Sequence, residues 1–280
     1  MGGFIVGGAE VVNVNQIGYL TDRGFVVVVP NYRLCPQVSA YEGPVRDSEA
    51  ALTFCLLHLS RADADLPPID TTKIVAMGHS AGGTLALNLA ANHPNIIKAV
   101  TAFYPSLYLS DTSSASHKPA ATYANFPDFQ FTPENVDSVS HPADGRFISS
   151  FPPLRPGVAP TPRHAWLFHL LKHGFWPKKV QPDGQYHLID PCSQIEAKGK
   201  VWPPTMIVQG DLDDTPGSTL DLVKRMEREL SEAGAKDVRV EVVEGEKHVF
   251  DLPPTIGGND LGRRWEAVVK GMEILVEGVK

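Results

Sequence analysis

The chain has 280 residues, 42% of them hydrophobic, enough to bury a large core as one large domain or as a core with an insertion. A net charge of −7 with no Lys/Arg block excludes nucleic acid and anionic membrane surfaces as main partners. No stretch approaches 18 uninterrupted apolar residues, so no transmembrane helix is expected.

The opening segment, MGGFIVGGAE, lacks the basic and long apolar regions of a secretory signal. Next, GFVVVVPNY (24–32) is a continuous β-branched run that predicts a doubly buried parallel strand. A helix is expected near 44–59, where Val45, Ala50, Ala51, Phe54, Leu57 and His58 are mixed with charges. Strand KIVAMGH, helix AGGTLALNLAANH and strand IKAVTAFYP follow. Residues 107–200 break this rhythm, holding half of the chain's prolines and the polar stretch SDTSSASHKPAATYAN. Their strongest helical segment is PRHAWLFHLLKHGFW. This third of the chain is expected to form a cap inserted into a core made of 1–106 and 201–280. The rhythm resumes with strand PTMIVQGD and helix STLDLVKRMERELSEAG, whose Leu220, Val223, Met226 and Leu230 share a face and whose Gly234 is a stop. Strand DVRVEVVEG and helix GRRWEAVVKGMEILVEGV close the chain. Strand–helix alternation of this kind predicts an α/β fold with a mostly parallel sheet. The three cysteines, Cys35, Cys55 and Cys192, are widely spaced and odd in number; reduced thiols and a cytoplasmic location are expected.

MGHSAGG (77–83) contains Gly78-x-Ser80-x-Gly82 between a predicted strand and a predicted helix. A strained turn there would hold a serine clear of the sheet, with small residues two before and two after it. Ala81 would offer its backbone N–H at a helix N-terminus, where the dipole and unpaired donors favour an oxyanion. A serine hydroxyl needs a histidine to take its proton, and that histidine needs a carboxylate to fix its tautomer. Both follow in the order Ser…Asp…His. Asp211, Asp213 and Asp214 stand at a strand end in MIVQGDLDD, and His248 lies in the loop after the last strand.

At this point the chain resembles the α/β-hydrolases, and more narrowly their hormone-sensitive-lipase-like esterases. RGFVVVVPNYRLCPQ is similar to that group's GF-VVV-DYRLAPE segment, MGHSAGGTLALNLA to its elbow, and MGGFIVGG to the tail of its HGGGF oxyanion motif. The C-terminal part, from VQGDLDD to KHVFDL, is closer to prolyl-oligopeptidase-like and feruloyl-esterase-like members, in which the acid stands three residues after the strand-end glycine. The resemblance thus implies Asp213 as the acid. It implies Gly2 or Gly3 as second oxyanion donor beside Ala81, a small ester as substrate, and no metal or organic cofactor.

The resemblance also implies something missing. The family's bracing histidine has no counterpart, and three strands normally precede this motif. The third lies between the strands corresponding to 24–30 and 73–78, so its absence leaves a vacancy of about 5 Å at the sheet centre. Direct closure of the two strands, a substitute segment, or a chain that begins part-way through the fold would each answer it. The last is the expectation adopted.

Rival readings are weaker. Asp211-x-Asp213-x-Thr215 matches the phosphatase signature of haloacid dehalogenases, but too few residues follow it for that family's remaining core. His169 and His173 are one helical turn apart, yet Leu170 stands where a zincin needs glutamate, and a helix facing both core and solvent accounts for the pair. Trp166, Phe168, Phe175 and Trp176 fit either an acyl pocket or a cap core. The sequence predicts a serine carboxylic-ester hydrolase, with a non-catalytic ligand-binding relative and an amidase or peptidase as alternatives. The oligomeric state is not legible.

Overall fold

The computed structural model describes residues 2–62, 67–141, 147–152, 154, 158–251 and 262–280. Four parallel strands form the sheet, in spatial order β1 (Ile74–His79), β2 (Ile97–Phe103), β3 (Thr205–Gly210) and β4 (Val238–Val243). In chain order the helices are α1 (Val14–Thr21), α2 (Arg46–Leu57), α3 (Leu59–Ala62), α4 (Ala81–Asn92), α5 (Pro133–Ser140), α6 (Pro162–His173), α7 (Trp176–Val180), α8 (Ile195–Lys198), α9 (Leu220–Glu232) and α10 (Gly262–Glu277).

Side chains of alternate strand residues leave opposite faces of the sheet. Val100, Ala102 and Ile207 pack with Leu87 and Ala90 of α4 and Val223, Met226 and Leu230 of α9. Ala99, Phe103, Met206 and Val208 pack with Val268, Met272 and Leu275 of α10. The helices sandwich the sheet, which is why its central strands are buried almost throughout, polar Thr101, Thr205 and Gln209 included. On α9 the buried face runs through Leu222, Val223, Met226 and Leu230, with Leu220 only half-buried, and Gly234 ends the segment at φ 95°. On α2, Leu52 is buried while Phe54 and Leu57 are exposed.

The run 24–32 is not a strand. Among the described residues, the N–H groups of Val26 to Val29 make no backbone–backbone hydrogen bond, and Val26 and Val28 are exposed. A cavity of about 840 Å³ lies between this run and β1, lined by Val27, Val29, Ile74, Ala76 and Met77 among others. The two segments do not close up on each other, and among the described residues no strand occupies the slot between them. Four valines favour extended backbone, but a strand exists only with a neighbour at ladder distance.

A third apolar cluster joins the opening residues to the long β2–β3 connection. Phe4, Ile5 and Val6 pack with Trp166, Leu167, Leu170 and Trp176, and with Ala81 and Leu85 of α4. Phe4 and Trp176 stack at 5.9 Å, and Trp176 Nε1 donates to the Gly3 carbonyl at 2.8 Å. Arg163 is buried at this junction. Its guanidinium donates to the carbonyls of Ile5 (2.6 Å), Val139 (3.1 Å) and Cys35, and to Gln37 Oε1. Burial pushes its pKa down to about 10, so it stays charged at neutral pH with carbonyl dipoles for partners. Replacing Arg163 by methionine strands two buried carbonyls, those of Ile5 and Cys35, while that of Val139 keeps Gln37 Nε2 at 2.6 Å. The expected loss is about 3 kcal/mol of unfolding free energy in urea titration, with Lys178→Met, exposed on α7, near neutral.

Candidate functional site

β1 ends at His79, and Ser80 follows in a conformation (φ 54°, ψ −124°) that non-glycine residues rarely adopt. The turn is tight enough to exclude side chains around it: a Cβ on Gly78 would lie 2.0 Å from the Gly82 carbonyl oxygen. Gly83 lets α4 approach β2, since a Cβ there would meet the Phe103 carbonyl at 3.2 Å. Strand, strained serine and helix N-terminus are consecutive, so Ala81 opens α4 with an N–H that no preceding turn can engage.

The structure brings Ser80, His248 and Asp213 together from three separate segments. His248 Nε2 is 2.9 Å from Ser80 Oγ, and its Nδ1 is 2.7 Å from Asp213 Oδ2. Asp213 is buried and its remaining lone pairs are engaged. Oδ1 accepts the Thr215 N–H at 2.9 Å, and Oδ2 also accepts Gln209 Nε2 at 3.0 Å. The neighbouring aspartates point elsewhere: Asp211 Oδ1 accepts from Gly245 N at 2.7 Å and Asp214 Oδ2 from Thr122 N at 2.8 Å. The three-residue count from Gly210 therefore selects the carboxylate that touches the imidazole.

Gly2 and Gly3 lie in a short turn with positive φ (66° and 59°), packed through Phe4 against the start of α4. A Cβ on Gly3 would meet Leu167 at 2.9 Å and Trp176 at 3.0 Å. Of the four aromatic residues of the connection, Trp166 and Trp176 are buried, Phe168 stacks on Tyr123, and Phe175 is half exposed. Tyr123 reaches the triad's surroundings, its hydroxyl lying 3.4 Å from Thr215 Oγ1.

Sequence reasoning missed a second buried carboxylate behind the triad. Asp251 accepts from Gln16 Nε2 at 2.6 Å and from the Tyr104 hydroxyl, while Asn13 Nδ2 donates to its carbonyl at 2.9 Å. His79 Nε2 is 3.0 Å from Asp251 Oδ2, an ion contact rather than an aligned hydrogen bond. Burial pushes the Asp251 carboxyl up, but the nearby His79 imidazole and the hydrogen bonds from Tyr104 and Gln16 together outweigh it and hold its pKa below the usual value. The Tyr104 ring meets the His248 ring edge-on at 4.8 Å, so this network props the imidazole from behind. Its one signal in the sequence is an aspartate three residues after His248. The large cavity beside β1 reaches Gly78, His79 and Gly82 of the elbow, but Ser80, Asp213 and His248 do not line it.

Among the described residues, no helix is long and apolar enough to cross a membrane. Comparison with known proteins agrees with the architecture. The chain is 28% identical over 305 residues to methylphloroacetophenone synthase of Cladonia uncialis, covering 98% of this chain but 12% of that protein. The chain therefore spans about an eighth of the length of the curated relatives it matches. Among solved structures, carboxyl esterase 2 from Tuber melanosporum superposes with a TM-score of 0.66 at 17% identity, covering 99% of this chain and 76% of that one. A bacterial heroin esterase gives 0.61 at 20% identity, covering 99% and 72%. A family model described as alpha/beta hydrolase fold matches residues 1–141, half of the chain, including the serine elbow. With its parallel sheet, flanking helices and strand–serine–helix turn, the chain belongs to the alpha/beta-hydrolase fold family.

Proposed function

We propose that this protein is a serine hydrolase acting on carboxylic esters. The observation that carries the reading is the unbroken contact line Ser80 Oγ–His248–Asp213, at 2.9 and 2.7 Å. In it Ser80 attacks the ester carbonyl while His248 Nε2 takes its proton. Asp213 holds the Nδ1 proton and so keeps Nε2 free as base. The tetrahedral oxyanion is met by the Ala81 N–H and by that of Gly2 or Gly3. Collapse expels the alcohol, protonated by His248, and leaves an acyl-Ser80. Water activated by the same imidazole hydrolyses it. No step requires a metal or organic cofactor. The 107–200 segment acts as a cap, with Tyr123 and Phe168 on the side nearest Asp213.

Two structural neighbours named as esterases support the ester class. The alignment with a synthase, and with other relatives named as non-reducing polyketide synthases, favours a second substrate form for the same chemistry: a polyketide acyl group held as an ester or thioester. A fluorophosphonate probe should label Ser80 stoichiometrically, and short-chain p-nitrophenyl esters should turn over, with anilides much slower. Labelling that persists in Ser80→Ala would refute the nucleophile. Labelling without turnover would favour a non-catalytic relative, and faster anilide cleavage an amidase.

A further inference from the structure

The structure adds a third residue to the histidine pair on α6. His169 and His173 project from one face a turn apart, and the loop before α5 brings Asp128 across to them. The three ligating atoms all lie within 4.8 Å of one another. Asp128 Oδ1 is 2.7 Å from His173 Nε2 and 3.4 Å from His169 Nδ1. The longer contact is not a hydrogen bond, and His169 Nδ1 is a buried nitrogen with no hydrogen-bond partner. Rings wall the cluster: Phe131 meets His169 edge-on at 5.3 Å, and Phe175 stacks on His173 at 5.8 Å.

Two imidazole nitrogens and one carboxylate oxygen suit zinc and its divalent neighbours and suit calcium and magnesium poorly. Tetrahedral zinc spaces its ligand atoms about 3.3 Å apart, so this cluster needs only small side-chain rotations. We propose that Asp128, His169 and His173 form a divalent transition-metal site, best matched to zinc, with its fourth position left to water. The site is remote from Ser80 in chemistry and lacks the glutamate of hydrolytic zinc helices. Its work is structural: it fastens the loop around Asp128 to α6. Phe126 in that loop packs on Phe168 of α6, and both contact Tyr123, so ligation stiffens the wall that reaches toward Thr215. One group opposes the metal. Lys172 Nζ lies 3.2 Å from Asp128 Oδ1, but it also holds the Phe126 carbonyl at 3.1 Å and can retain that bond when displaced.

The test uses the whole chain, stripped with a chelator and titrated with Co²⁺ followed spectroscopically and with Zn²⁺ by calorimetry. The expected result is one Co²⁺ per chain with the visible absorption of a four- or five-coordinate site, displaced by Zn²⁺, and a Zn²⁺-dependent rise in Tm that Mg²⁺ and Ca²⁺ do not give. His173→Ala and Asp128→Ala should each weaken binding at least tenfold, whereas Lys172→Met should tighten it several-fold. The aspartate variant alters an exposed side chain and the histidine variant a half-buried one, and circular dichroism checks the fold of both. Absence of a saturable Co²⁺ spectrum would overturn the proposal, as would one unchanged in His173→Ala and Asp128→Ala.

Discussion

Ser80→Ala should lower kcat on a p-nitrophenyl ester by about 10⁶-fold, with little change in KM and none in Tm beyond a degree or two. The size follows from the geometry. With Oγ gone, His248 Nε2 has no alcohol to deprotonate, and the only remaining route is direct attack by water placed by the oxyanion donors. The near-neutral stability also has a cause: alanine keeps the elbow's left-handed strain (φ 54°) and removes one hydrogen bond to a half-buried imidazole. A residual rate within tenfold of the parent would mean that the measured ester cleavage occurs elsewhere.

Asp213→Asn should cost about 10⁴-fold in kcat while leaving the protein folded. The carboxylate takes three N–H donors, from His248 and Gln209 on Oδ2 and from Thr215 on Oδ1. An amide offers one oxygen and one NH₂, so at least one of those donors must face another donor, and two of them if the NH₂ takes the Oδ2 position. If the amide NH₂ faces His248, the imidazole moves its proton to Nε2 and loses its capacity as base. If it faces Thr215, a buried backbone N–H is orphaned, and asparagine pays in stability instead. Asp211→Asn and Asp214→Asn serve as controls, because among the described residues their carboxylates accept from the Gly245 and Thr122 backbone N–H groups and not from His248. Either control falling as far as Asp213→Asn would move the acid to that residue. Kinetics paired with thermal denaturation of all three variants makes the comparison.

What could be read in advance was what local physics decides. The elbow is a contiguous strand–turn–helix whose glycines are dictated by backbone contacts as short as 2.0 Å, so seven letters suffice to place it. Helix α9 declares its face by spacing and its end at Gly234, which is left-handed at φ 95°. The choice among three adjacent aspartates needed a family pattern, since composition treats them alike. The run Val26–Val29 misled for the opposite reason: its propensity is real, but pairing is a property of the neighbour. Asp251 with Gln16, and Asp128 with His169, join residues 235 and 41 positions apart in a chain where no periodicity links them. Such contacts are set by how the connection and the opening segment fold back, and a single sequence carries no signal for that.

The opening beside β1 also bears on how firmly the nucleophile is held. Ser80 N donates to Phe103 O, so by strand alternation Gly78 and Ala76 turn their peptide groups toward β2. Those of Met77 and His79 turn the other way, where among the described residues no ladder receives them. Among the described residues, the hydrogen-bonded support of the elbow comes from β2, with α4 following Ser80 directly, so the serine is held chiefly from that flank.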